Sequence, residues 1–197
     1  MANSFDDDRG VQWMLAYQRG SEAAFDQIVE AYSGQVFGLF TRFLGPVPER
    51  EDLVQEVFLR VIRARERWQP TARLSTWLYR IAFNLSVNRS QRRTPEVSID
   101  ADPGRPEEPR EFDDPSAPQP SEALERNDVV DAVQAAIAAL PETQRMALVL
   151  ARFEGQSLAE IAQVLGSSEK AVKSLVHRAR ENLRARLTPY LEQEHAE

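Results

Sequence analysis

At 197 residues with 42% hydrophobic content the chain is long enough for one or two modest cores, and its lack of cysteine excludes disulfides, thiolate metal sites and cysteine nucleophiles. The start, "MANSFDDDRGVQW", has no basic region followed by an apolar run, and no stretch approaches the roughly 18 apolar residues of a membrane span, so the sequence reads as soluble and cytoplasmic with no membrane insertion. The formal net charge is -7, but its distribution along the chain is more informative than its total.

Three or four helices fit residues 8–93. Phe25, Ile28, Val29 and Tyr32, then Val36, Phe37, Phe40 and Phe43 to Leu44, keep a helical repeat until "GPVPER" breaks it. The next run, "REDLVQEVFLRVIRARERW", turns Leu53, Val57, Phe58, Val61 and Ile62 inward. Asp52, Gln55, Glu56 and Arg60 are left as a polar outer face, which is either solvated or a docking surface for a partner helix. After "QPTARL", the segment "STWLYRIAFNLSVNRSQRR" buries Leu78, Ile81, Ala82 and Leu85 and leaves Trp77, Arg80, Asn84, Asn88 and Arg92 nearer the other side. Aromatic, amide and guanidinium groups together suit single-stranded bases, which stack and expose their pairing edges. A Trp at such a spacing equally suits the core.

Residues 94–125 hold seven of the twelve prolines and ten acidic residues against two arginines. Proline fixes φ and removes backbone donors, and few large apolar groups offset the ordering entropy, so a linker is expected over 94–121 between domains at 10–93 and 122–188. On either side the charge reverses. Arg67 to Arg93 contains six arginines and no acid, and Glu169 to Leu187 is also basic. Two basic surfaces joined by an acidic strap point to nucleic acid more than the net charge does.

Beyond the strap, two helices are split at Pro141, which suits a first helical turn. Val130, Val133, Ile137 and Leu140 supply one core face; Met146, Val149, Leu150 and Phe153 supply another. "SLAEIAQVLGSSEKAVKSLVHRARENL" then reads as a helix-turn-helix. Leu158, Ile161, Ala162 and Leu165 form an apolar face, Ser157 and Glu160 a capping box, Gly166 a C-cap and Ser168 the next N-cap. In the second helix Val172, Leu175, Val176, Ala179 and Leu183 form the buried stripe. At about 100° per residue, Lys170, Lys173, Ser174, His177, Arg178, Arg180 and Arg184 fall away from it. Donors near the start of such a helix reach base edges in the major groove, and later ones reach phosphates. Lys173, Ser174, His177 and Arg178 are therefore expected to read bases, while Lys170, Arg180 and Arg184 position the helix.

In that order, "DLVQEVFLRVIRA", "STWLYRIAFNLSVN" and "SLAEIAQVLGSSEKAVKSLVHRAR" resemble the extracytoplasmic-function (ECF) class of bacterial sigma factors, the two-domain form of the sigma-70 family. The resemblance covers about residues 10–93 and 122–188. It implies an all-α chain in which sigma region 2 docks on the clamp coiled coil of core RNA polymerase and opens the -10 element, while region 4 binds the -35 element and the polymerase flap. Asp52, Gln55 and Glu56 match the polymerase-docking motif. Asn84, with the loop Gln69 to Leu74, matches the position that captures a flipped non-template base, and Asn88 lies one turn further along. Lys173, Ser174, His177 and Arg178 match the upstream-element readers. Many family members carry Arg where this chain has Leu175, and a Gly-Thr pair where it has Lys170 and Ala171.

A promoter-specificity subunit without catalysis of its own is thus the leading expectation, with promoter DNA and core polymerase as partners and an anti-sigma factor implied by the resemblance alone. An ordinary helix-turn-helix regulator with a sensory N-terminal domain is the rival. His177 and His195 have no carboxylate cluster at ligand spacing, so neither a metal nor a cofactor is expected, and a nuclease is a distant third. The strap could reach about 90 Å extended or roughly 30 Å as a coil. Promoter elements a few turns apart, at about 3.4 Å per base pair, fall within the extended reach plus the widths of the domains.

Overall fold

A computed structural model describes the backbone over residues 7–93 and 122–193, and side chains over 7–89 and 130–188. The expected acidic linker, 94–121, and the side chain of Arg92 lie outside the described residues. Within them the chain is all helix: α1 (Arg9–Gln18), α2 (Glu22–Leu44), α3 (Arg50–Ala64) and α4 (Leu74–Arg93), then α5 (Glu122–Ala138), α6 (Glu142–Arg152), α7 (Leu158–Leu165) and α8 (Glu169–Gln193).

The first four helices start and cross where the local chemistry directs. Asp8 caps α1, its Oδ1 accepting from the Val11 N–H at 2.9 Å. Gly10 lets α1 cross close to α2 and α4, since a Cβ there would lie 2.8 Å from Leu74 Cβ and against the Tyr32 hydroxyl. Met14, Ile28, Leu39, Phe40, Val57, Val61 and Leu78 fill the space between these helices and are almost wholly buried. The α4 stripe of Leu78, Ile81, Ala82 and Leu85 is buried as its spacing predicts.

In the second set, Pro141 stands immediately before α6, at the cap rather than inside the first turn. Ser157 and Glu160 close the expected capping box at the start of α7. Gly166 ends that helix in the left-handed region, φ 60° and ψ 40°, and Ser168 Oγ then accepts from the Ala171 N–H at 3.2 Å. This is the tight turn between two helices that the sequence predicts.

Five apolar residues expected in the core are instead at least a third exposed: Phe37 37%, Ile62 43%, Val130 50%, Phe153 49% and Leu158 37%. Phe37 sits on the flank of α2 beneath the Arg50 guanidinium, 5.2 Å from the ring centre, while Leu39 takes the buried position. On α7 it is Val164 that turns inward in place of Leu158. Val130 and Phe153 line an open apolar groove beside Phe43 and Gly45, so they border the core without entering it.

The two helix sets are not separated by solvent. α4 packs on α7, and α2 packs on α5 and α6. A single apolar cluster runs from Met14 and Phe40 through Leu78 to Met146, Leu150, Ile161 and Val172. Among the described residues a small satellite of Leu140, Leu148 and Ala179, with Leu183 beside it, stands apart.

Candidate nucleic-acid and docking surfaces

The recognition-type helix α8 is fixed from below. Val172, Val176 and Ala179 are buried, Leu175 and Leu183 half-buried, and Asn182 Nδ2 donates to Gln144 Oε1 of α6 at 2.9 Å. Leu175 packs against the main cluster, which explains how an apolar residue stands where a basic one is common in the resembled family. This packing leaves Lys170, Lys173, His177, Arg178, Arg180 and Arg184 exposed together. Ser174 differs from the other six. It is half-buried, and its hydroxyl donates to the Lys170 carbonyl at 3.2 Å, so its hydrogen is already engaged by the helix. His177 Nε2 lies 3.4 Å from Glu181 Oε1, one turn on, which forms an ion pair when the imidazole is protonated.

A cap upstream starts the preceding helix, α7. The Ser157 hydroxyl and N–H donate to Glu160 Oε2 at 2.7 and 2.8 Å, and Arg73 Nε lies 3.3 Å from Glu160 Oε1. Partial burial alone would raise the Glu160 carboxyl, but the Ser157 hydrogen bonds and the Arg73 charge outweigh it and hold the group below its ordinary 4.5. A depressed folded-state pKa gives stabilisation that is complete above the unfolded value and is lost as pH falls through the folded one. Below pH 4.5 the denaturation midpoint of Glu160→Gln is therefore expected to fall less steeply than that of the parent, as measured by circular dichroism across an acid series.

On α4, Trp77, Arg80, Asn84 and Asn88 recur at three- and four-residue spacing along one face, with Arg80, Asn84 and Asn88 exposed and Trp77 half-buried. The indole of Trp77 meets that of Trp68 edge to face, with ring centres 6.1 Å apart. Around this pair opens a cavity of about 300 Å³. Gln69, Thr71 and Ala72 of the loop before α4 line it, as do Thr76, Trp77 and Arg80 of α4 and Gln163 of α7. Asn84 and Asn88 lie outside it, further along the same face. Gln18 holds the approach to the loop, its Nε2 donating to the Arg65 and Trp68 carbonyls at 2.7 and 2.8 Å. Sequence reasoning missed Gln18, Trp68 and Gln163. Trp68 stands at the loop's entry in the sequence, whereas the other two act only through residues far away in the chain.

The outer face of α3 carries a third arrangement. Asp52 and Gln55 are exposed, and Glu56 accepts from Arg60 Nε at 3.1 Å and Arg63 Nη1 at 3.2 Å. The Arg60 hydrogen bond, aided by the Arg63 charge, keeps the Glu56 carboxyl below its ordinary range against a smaller desolvation effect. Leu59, 44% exposed, and the misassigned Ile62 complete a stripe with Asp52 and Gln55 at three-four-three spacing, the pattern of a seam that receives another helix.

Among the described residues no group of three or more His, Cys, Asp or Glu could hold a metal ion, and no helix is long and apolar enough to cross a membrane.

Residues 28–95 match the family model for Sigma-70 region 2, and residues 131–183 match that for Sigma-70, region 4. The chain is 33% identical to the ECF RNA polymerase sigma factor SigW of Bacillus subtilis over 172 residues, 86% of this chain and 92% of that one. It is 35% identical to the RNA polymerase sigma-H factor of Pseudomonas aeruginosa over 181 residues, 88% and 91% of the two chains. Among solved structures, CnrH in complex with the cytosolic domain of CnrY is similar at a TM-score of 0.65 and 26% identity, covering 93% of this chain and 99% of that one.

Proposed function

Because the chain belongs to the ECF class of the sigma-70 family of RNA polymerase sigma factors, we propose that its three surfaces divide the work of initiation among them. On this reading 10–93 is the region 2 domain, 94–121 the tether and 122–188 the region 4 domain. The α3 stripe of Asp52, Gln55, Glu56 and Arg60, extended by Leu59 and Ile62, docks on core polymerase. The Trp68–Trp77 cavity takes an unpaired base of the -10 element, and Arg80, Asn84, Asn88 and Arg92 follow the strand beyond it. On α8, Lys173, His177 and Arg178 read the edges of the -35 duplex, and Lys170, Arg180 and Arg184 hold its phosphates. Ser174 contributes as an acceptor, since its own hydrogen is engaged. The protein catalyses nothing itself, acts in the cytoplasm with the polymerase, and is held in reserve by an anti-sigma factor.

The observation that carries this reading is the α8 face, where six donor-bearing side chains stand exposed directly opposite a buried apolar stripe on a two-helix turn. Its test is run-off transcription with purified core polymerase on genomic fragments recovered with the protein-bound enzyme. Transcription that depends on the added chain supports the reading. Duplex binding without initiation would instead mark an ordinary regulator. In the same assay Arg178→Ala is expected to cost about 1–3 kcal/mol on cognate promoters and to relax selectivity at one position. An equal loss on all sequences would remove Arg178 from the base readers.

A further inference from the structure

We propose that Glu181 is a positioning residue for -35 recognition and acts through His177: it keeps that imidazole charged on the duplex, so that promoter binding takes up a proton. The inference rests on the assignment of the α8 face to the -35 element given above, and it goes further in naming how an acid outside the set of readers governs one of them.

A carboxylate stands in the middle of the basic face. At about 100° per residue Glu181 falls opposite the buried Val172, flanked on the outer side of α8 by Lys170, Ser174 and His177. Its side chain is 62% exposed, so burial within this chain does not account for it. A negative charge at the centre of a surface that meets a polyanion is unfavourable, because like charges face one another across the contact. His177 is placed to offset it. The imidazole Nε2 lies 3.4 Å from Glu181 Oε1, one helical turn back, on a side chain that is 71% exposed. In the free protein an exposed pair of this kind is worth little, since water screens both charges. Against the phosphates of a duplex, with part of that water removed, its charge state counts for more.

The surroundings of His177 fix the direction of the effect. Lys173 stands four residues before it, Arg178 beside it and Arg180 three residues after, with Lys170 and Arg184 a further turn away along the same face. The helices α5, α6 and α7 pack against α8 from the side of its buried stripe, and Asn182, which bonds Gln144 of α6, is turned about 140° away from His177. The charged groups those helices and the turn after α6 bring among the described residues are Asp131, Glu142, Arg145, Arg152, Glu154 and Glu160. Three of them are engaged elsewhere: Arg145 with the Phe43 and Leu140 carbonyls, Glu154 with Arg42 and Tyr79, and Glu160 with Ser157 and Arg73. Glu181 is thus the acid paired with His177. In the complex, phosphates neutralise the surrounding cations, and the remaining carboxylate favours the imidazolium. A charged ring that gives its Nε2–H to Glu181 still has its Nδ1–H for a base acceptor, such as guanine O6 or N7, or for a phosphate. A neutral ring has one N–H and cannot serve both. The gain in affinity is therefore complete where a free imidazole is already charged, and it is lost as pH rises through the higher value at which the bound one gives up its proton.

The test compares the full-length protein with His177→Gln and with Glu181→Gln. The probe is a rhodamine-labelled duplex carrying the upstream element of a promoter that the protein directs in run-off transcription, and its affinity is followed by anisotropy at constant salt from about pH 6 to about pH 8.5, where an imidazole changes charge. The parent is expected to lose roughly 10-fold in affinity across this range, the effect of a one-unit rise in proton affinity on binding. His177→Gln should vary by less than about 2-fold, and Glu181→Gln should flatten the profile by binding better than the parent at the alkaline end. Calorimetry in two buffers of different ionisation enthalpy should show net proton uptake by the parent and less by either variant. Thermal midpoints of the three proteins should agree within about 2 °C, since both side chains are exposed. If the parent profile is as flat as that of His177→Gln, or Glu181→Gln keeps the parent slope, the inference is overturned; Arg178→Ala still weakening the same duplex would show that the α8 assignment survives. If the parent binds this duplex no better than a scrambled one, and Arg178→Ala changes neither affinity, the α8 assignment falls, and this inference falls with it.

Discussion

Replacing Leu59 with Asp is expected to weaken binding to core polymerase by roughly 30-fold or more while leaving the folded protein almost untouched. An exposed apolar side chain at the centre of a helical stripe is the kind of residue that acts as an interface hot spot, and truncating such residues costs about 2 kcal/mol or more. Leu59 is 44% exposed and stands between Gln55 and Ile62 on the face that α3 turns to solvent, so burial within this chain does not account for it. The substitution adds a charge that would be desolvated in a docked complex, but in the free protein it meets only water. The thermal midpoint should move by no more than about 2 °C, as for most surface substitutions. Fluorescence titration with core polymerase and run-off transcription should fall together. Unchanged affinity would take α3 out of the docking surface and return its polar face to the solvated reading.

The parts of this molecule that were legible in advance are those governed by chemistry within a few residues. Ser157 and Glu160, Gly166, and Ser168 could be placed because a cap needs an acceptor three residues from an orphan N–H, and a left-handed end favours glycine. The stripe of Leu78, Ile81, Ala82 and Leu85 could be read because four apolar residues at helical spacing define a face on their own. Periodicity finds the middle of such a face and not its edge. Phe37 and Ile62 sit beside the buried Val36 and Val61, and Leu158 stands one turn before the buried Ile161 and Ala162; the surrounding helices, not the spacing, decide which of them is covered.

The contact between the two helix sets lay beyond any local reading. Glu154 and Tyr79 are 75 residues apart, and Glu154 lies in a short turn where a lone carboxylate is ordinarily solvated. The proline-rich strap suggested two bodies held at a distance, and it carried no signal that their apolar surfaces would join in one cluster. Of the three candidate surfaces, the α8 face was the most legible because it follows from a single helix. The cavity was the least, since its walls come from the Trp68 turn, α4 and α7.

Ile161→Ala should separate stability from recognition. Ile161 is completely buried on α7, the helix that packs on α4, α6 and α8, so the substitution empties space at the junction of both helix sets. Large-to-small changes of this type cost about 2–5 kcal/mol, more where the site cannot collapse. For a chain of this size that corresponds to a fall of roughly 4–20 °C in thermal midpoint. Below that lowered midpoint the exposed donors of α8 should still stand on a folded helix, so affinity for a -35 duplex should drop only by the fraction unfolded. Arg178→Ala should do the reverse, with affinity falling at an unchanged midpoint because its side chain is exposed. Paired calorimetry and duplex-binding measurements on the two variants distinguish these outcomes. Should Ile161→Ala abolish duplex binding while the protein remains fully folded, α8 would depend on α7 for its working orientation more tightly than its own packing on α6 through Asn182 and Gln144 implies.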